Sequence, residues 1–276
     1  MNYLNQDFTG ERALFQARNA TIEKCHFLDG ESPLKESKNL TIFETIFSWK
    51  YPLWYSKNIV CRESVFEEMA RAGIWYTKDS LFQKCHFIGP KEFRACKNVT
   101  IEECEFANGI ETLWWCDGMK LKNVVSTGDY FGLRSKNIEA DNLTLHGNYG
   151  FDGCKHLRIR HSELKTKDAF WNCDDVVVED SYIEGEYFGW NSKNVTLIRC
   201  TIKSHQGFCY MKNIRLIDCK IIDSDLTFEY CSNIDATVHS RIGSIKNPIS
   251  GIIRCQGYNE LIQDDCDPKK TKIEVI

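Results

Sequence analysis

Asn19-Ala20-Thr21-Ile22-Glu23-Lys24-Cys25-His26-Phe27 decides the fold, because the same arrangement returns along most of the chain. With its asparagine counted as position 0, the pattern recurs at 39, 58, 79, 98, 118, 137, 156, 175, 194, 213 and 233, twelve copies spaced 19 to 21 residues apart. Self-similarity at such a period marks a solenoid or array, in which a single repeat cannot close a core and buries its apolar face on its neighbours. Position 0 is Asn in eight copies and otherwise Asp79, Asp175, Gly118 or His156. Most of these tolerate left-handed backbone or cap a turn with their own side chain, so each copy begins at a corner.

Working outward from the corner, positions +1 and +3 are apolar in most copies, as in Leu40 and Ile42, Val195 and Leu197, or Ile214 and Leu216. That alternation is a strand with one buried face. Position +6 is small or medium, Cys in five copies, and +8 is Phe27, Phe47, Phe66, Phe87 and Phe106, then mostly Leu or Ile. A second buried strand follows. An apolar residue or Gly at −5 and a small residue at −2 supply the third side. A turn of about 19 residues has no room for an ordinary helix beside a strand and two connections.

The sequence therefore predicts an all-β, single-stranded, right-handed parallel β-helix of twelve coils. The coils stack at the strand spacing of about 4.8 Å, and the hand follows from parallel crossovers. A pentapeptide-repeat coil has a similar length but needs inward centres every five positions, and a leucine-rich repeat would place its Asn after the strand. One domain spans residues 1–276, with 1–13 as an N-terminal cap, 14–239 as coils and 240–276 as a C-terminal cap over the exposed edge.

Of 276 residues, 42% are hydrophobic, enough for a real core. With 35 basic against 39 acidic residues, a net of −4, there is no broad basic field to draw nucleic acid or an anionic membrane. The opening residues lack a secretory signal pattern and no long apolar run occurs, so a soluble cytoplasmic protein is expected.

Several segments resemble a known family: Gly10-Glu11-Arg12-Ala13-Leu14-Phe15, Glu31-Ser32-Pro33-Leu34-Lys35-Glu36-Ser37, Trp49-Lys50-Tyr51-Pro52-Leu53-Trp54-Tyr55, Lys167-Asp168-Ala169-Phe170-Trp171-Asn172-Cys173 and Gly185-Glu186-Tyr187-Phe188-Gly189-Trp190-Asn191. They resemble, over nearly the whole chain, an uncharacterised bacterial domain of unknown function similar in fold to the pectin-lyase-like superfamily. The resemblance implies the fold. It brings no assigned reaction, so no catalytic residue is carried over, and the wider superfamily includes polysaccharide lyases, hydrolases, esterases and non-enzymes.

Ten of the 14 cysteines fall at +6 or −2, where they serve as small core residues; Cys96 and Cys116, in adjacent coils, lie near disulfide separation. No Cys/His pair has chelate spacing, and the acidic segment Asp264-Asp265-Cys266-Asp267 is a solvated turn, so neither a metal nor a cofactor is expected. The Asn-x-Thr triplets at Asn19, Asn39, Asn98 and Asn194 coincide with the corner and need no glycan to explain them.

The tryptophans carry the functional signal. Trp54, Trp75, Trp114, Trp171 and Trp190 share position −4, a column also containing Lys35, Arg94, Asp152 and Glu229, company that implies an outward face. Just before it run Asp129-Tyr130, Tyr149, Lys167-Asp168, Glu186-Tyr187 and His205. Flat rings beside carboxylates and a histidine suit a sugar or similar polar ligand, with Trp114, Asp129, Tyr130, Arg134, Tyr149, Lys167, Trp171, Tyr187, Trp190 and His205 as contacts. A structural or protein-interaction module, with a partner or a second copy of the chain on this face, is the alternative. A third reading is a glycoside-active enzyme using carboxylates from Asp152, Asp168 and Glu186, with Lys167, Arg134 and His205 available for lyase chemistry. The near-constant spacing leaves no room for long loops, so the face is shallow.

Overall fold

The structure, a computed structural model, describes residues 1–276 and is built from parallel β-coils with no α-helix. It divides into two compact units, Met1–Thr144 and Leu145–Ile276.

In the first unit the strands Asn2–Leu4, Arg18–Glu23, Lys38–Phe43, Lys57–Arg62, Lys78–Gln83, Lys97–Glu102 and Asp117–Thr127 pair in parallel, each on the next. Register keeps like on like: Ile22 faces Ile42, and Ile42 faces Cys61. The two-residue strands Asp7–Phe8, His26–Phe27, Ile46–Phe47, Val65–Phe66, His86–Phe87 and Glu105–Phe106 form the second side. Their phenylalanines stack ring on ring with centroids 4.7 to 5.0 Å apart, the strand spacing imposed on the side chains.

In the second unit Lys155–Arg160, Asp174–Glu179, Lys193–Ile198, Lys212–Ile222, Ser232–Val238, Gly251–Cys255 and Thr271–Val275 stack in the same way. Beside them run Glu163–Thr166, Tyr182–Gly185 and Thr201–Ser204, and further on Ile242–Lys246 pairs with Tyr258–Ile262.

The coil count comes to about fourteen, not the twelve read from the repeat. Asn2–Leu4 and Asp7–Phe8 already form a coil, and the strands after residue 240 keep pairing after the repeat has faded. The physical reason is exposure: Asn2 and Leu4 are solvent-exposed and Tyr3 only half-buried, so the first coil has little need for the inward apolar columns that make a repeat visible.

The corners are left-handed, as the asparagines predict. Asn19, Asn39, Asn58, Asn98, Asn194 and Asn213 have φ between 49° and 58°, a conformation that costs most residues roughly 1–2 kcal/mol. The amides offset this by hydrogen-bonding along the stack: Asn39 donates to Asn19 and Asn58 to Asn39 at 2.8 Å, and Asn213 to Asn194 at 2.8 Å.

The third side is a ladder of turns. In the first coils the N–H at −5 donates to the next coil, as Leu34 to Pro52 O and Leu53 to Gly73 O. From Phe93 onward the −5 residue is left-handed, and the N–H of Leu113 donates backward to Glu92 O. Turning that carbonyl round leaves the backbone below it short of an acceptor, and the Glu92 side chain supplies one: its Oε2 accepts from Gly73 N at 3.0 Å, and Ile74 N also bonds the carboxyl. Glu92 is 0% exposed, and burial pushes its pKa well up.

Inside the turn ladder, the Ser, Thr and Cys at −2 do more than fill space. Ser56, Cys96, Cys116, Ser135, Cys173, Ser192 and Cys231 each donate to the −5 carbonyl of the preceding coil, for example Cys96 Sγ to Ile74 O at 2.9 Å and Ser192 Oγ to Phe170 O at 2.5 Å. All 14 cysteines are free thiols and 13 are buried, Cys96 and Cys116 included.

Candidate ligand site on the turn side

The tryptophan column stands on the turn ladder, and its indoles are tied to the backbone. Trp54, Trp75 and Trp114 in the first unit donate to the carbonyls of Ala72, Lys91 and Tyr130, and Trp171 in the second donates to Tyr187 O, at 2.5 to 2.8 Å. Each bond runs from −4 of one coil to −7 of the next, so the indole straps successive turns together. All four are half-buried rather than displayed.

In the first unit Arg94, one of the charged members of the column, is not a sign of a wetted face. Arg94 lies between two indoles, its guanidinium 4.3 Å from the Trp75 ring centre and 4.6 Å from that of Trp114. Glu111 closes the arrangement, 3.1 Å from Arg94 and 3.2 Å from Lys91. Of the other first-unit candidates, Tyr130 and Arg134 are exposed, with left-handed backbone, and Asp129 is half-buried.

In the second unit Trp190 departs from the pattern. It is 43% exposed, and the carbonyl its N–H would reach, that of Gln206, instead accepts from the Cys209 thiol at 3.5 Å. Trp190 meets Trp171 edge to face at 4.6 Å and lies 6.5 Å from Tyr210, tilted by 50°. With Tyr187 these rings wall a recess of about 280 Å³. Gln206, Cys209 and Glu229 line the rest. Cys209 holds position −4, where Trp190 and Trp171 stand one and two coils earlier, so the recess is the room a small side chain leaves in an aromatic column.

The polar groups of the recess are preorganised. Glu229, 8% exposed, accepts from Gln206 Nε2 at 2.5 Å through one oxygen and pairs with Lys246 at 2.8 Å through the other. Its burial corrects the reading of the whole −4 column as outward-facing. The Cys209 thiol is pushed up to about 12, chiefly by burial, which keeps it protonated and poorly nucleophilic at neutral pH.

The carboxylate candidates of this unit fall into different settings. Asp152 accepts from Asn172 Nδ2 at 3.0 Å. Glu186 pairs with Lys167 at 3.2 Å on the surface. Asp168 is 2% exposed with Oδ1 unpartnered, and burial raises its pKa against the pull of neighbouring Lys167. His205 pairs with Asp225 at 3.3 Å, and it borders a shallow depression shared with Lys167 and Glu186. Tyr149 meets Trp171 edge to face at 5.9 Å. Trp171, Tyr187 and Trp190 are thus the predicted contacts that meet in the recess. Tyr210 and Lys246 were missed, and Gln206 and Glu229, which the spacing puts beside and within the tryptophan column, were not among the expected contacts; the signal was the break in that column at Cys209.

The fold and this site define a parallel β-solenoid whose turn ladder carries an aromatic column with a gap in it. The chain belongs to the family described as "Protein of unknown function (DUF3737)", matched over residues 1–276. No curated protein matches. Among solved structures, a surface adhesin of Streptococcus pneumoniae, PfbA, is similar with 10% identity and a TM-score of 0.32, over 94% of this chain and 70% of that one. HetL, a pentapeptide-repeat protein involved in heterocyst differentiation regulation in the cyanobacterium Nostoc, is similar with 10% identity and a TM-score of 0.24, over 86% and 92% of the two chains. Neither likeness bears on ligand or activity. No helix is long and apolar enough to cross a membrane.

Proposed function

We propose that the turn side of the second unit binds a polar small molecule, of which carbohydrates are one class, with the recess beside Trp190 as its seat. The observation that carries this is a cavity of about 280 Å³ joining aromatic walls to a fixed Gln206–Glu229–Lys246 cluster. Rings take the apolar face of a ligand and the polar cluster takes its hydrogen-bonding groups. The free thiols, 13 of them buried, support a reducing, cytoplasmic setting. The test is tryptophan fluorescence titration against a panel of saccharides and other polar metabolites, using wild type and Trp190→Ala. Binding that Trp190→Ala abolishes without lowering the Tm by more than a few degrees supports the seat; saturable binding untouched by the substitution would place it elsewhere.

A second reading draws on Asp168, a buried carboxyl with a raised pKa beside the Lys167–Glu186 pair. A carboxyl that keeps its proton longer than usual suits a general acid in glycoside chemistry. Turnover of a glycan panel that disappears in both Asp168→Asn and Glu186→Gln supports it, and unchanged turnover in either removes it.

A further inference from the structure

The first unit shows what chemistry this kind of column accepts. There the gap between Trp75 and Trp114 is filled by the chain's own cation, Arg94, stacked on both rings and held by Glu111. In the second unit the corresponding column runs Trp171, Trp190, Cys209, Glu229: an indole on one side of the gap, a carboxylate on the other, and a thiol where a long side chain would lie. We infer that the recess at Cys209 receives the positively charged end of an organic ligand, a guanidinium or a substituted ammonium group, in the place Arg94 takes for itself. This rests on the recess being a ligand seat and narrows the class of ligand.

Three features point the same way. Ring faces attract cations through their quadrupole, and walls set at steep angles surround a rounded or flat cation better than they present a platform to a sugar. Trp171 and Trp190 stand at 90° and Trp190 and Tyr210 at 50°. Glu229 supplies the countercharge at the gap. Its pairing with Lys246 is no obstacle, because Glu111 holds Arg94 while also pairing with Lys91, at 3.1 and 3.2 Å. The Cys209 thiol, kept protonated by burial, adds no competing charge.

The test uses choline and methylguanidinium against 3,3-dimethyl-1-butanol, the uncharged counterpart of choline, with tryptophan fluorescence of the full chain as the signal. Choline or methylguanidinium is expected to bind about tenfold or more tightly than the alcohol, and Trp190→Ala and Glu229→Gln each to weaken the cation at least about tenfold. A neutral saccharide that binds at Trp190 while neither cation does would overturn the inference and leave the seat standing. Failure of every probe would overturn both. A second variant needs no ligand: Cys209→Arg places the chain's own guanidinium in the gap. It is expected to fold with a Tm at or above wild type and to abolish choline binding, and a Tm several degrees lower would show that the recess rejects the cation.

Discussion

At the scale of single residues, two side chains that look alike in sequence have opposite roles. Trp171 and Trp190 occupy the same repeat position, but only Trp171 spends its N–H on the next turn, at Tyr187 O. Replacing Trp171 by Phe removes a hydrogen bond of about 0.5–1.5 kcal/mol net and leaves a carbonyl without its donor, whereas Trp190→Phe removes no such bond. Thermal unfolding is expected to show the larger Tm loss for Trp171→Phe, and equal losses would count against the strap. Glu92 is the other case. With a pKa raised above its ordinary 4.5, the folded protein holds a proton that the unfolded chain releases. Its contribution is therefore favourable below the unfolded pKa and is lost as pH rises toward the folded value. Glu92→Gln keeps an oxygen for Gly73 N without ionising, so its Tm relative to wild type should improve between pH 5 and pH 8. Glu92→Ala strands the amides and should cost about 1–3 kcal/mol at either pH.

At the scale of the element, the turn ladder holds together through rungs that composition alone makes look like filler. Ser192 and Phe170 O form one such rung. Ser192→Ala leaves the carbonyl buried and unpaired, at about 1–3 kcal/mol, while Ser192→Cys keeps a donor of the kind its neighbouring coil already uses at Cys173; urea unfolding midpoints should rank the cysteine variant above the alanine. Size is matched between coils as well. Gly189 has φ +72°, and a Cβ there would lie 2.7 Å from the Met211 sulfur. Met211 fills the −2 slot that smaller residues take elsewhere, so the missing side chain and the large one answer each other. The strands were legible because period-two alternation survives in pairs such as Val195 and Leu197. The turn side was not, because left-handed residues at −7, −5 and −3 break any simple in-out rule: Glu92 points inward from a corner and Arg94 lies flat between rings, and neither direction follows from spacing. The tryptophan column was visible as a column, but its half-buried state depends on bonds to carbonyls sixteen or more residues ahead, which no local pattern encodes.

At the scale of the whole molecule, stability comes from repetition without covalent ties. None of the 14 cysteines is in a disulfide and only Cys266 is not buried. A thiol reagent should accordingly label about one cysteine per native chain and fourteen after denaturation, and the Tm should not change with reductant; fast labelling of several thiols in the native state would contradict this packing. The later coils escaped the repeat count because backbone pairing and a few buried side chains hold them without the corner residues: Gly251–Cys255 lies between Ser232–Val238 and Thr271–Val275, with Ile253 and Cys255 buried and little of the corner signature left.

The pairing of Asp174–Glu179 with Lys193–Ile198, and of the latter with Lys212–Ile222, shifts by nineteen residues each time. Such a chain is a ruler with a fixed graduation. Copying residues 175–193 in tandem would lengthen it by one mark and leave every downstream contact in kind, and the longer step from Lys57 to Lys78 elsewhere in the chain shows that an extra residue or two is taken up in a turn while the inward columns stay in line. Evolution can extend or trim this protein coil by coil, and any site built on its flank is carried along intact.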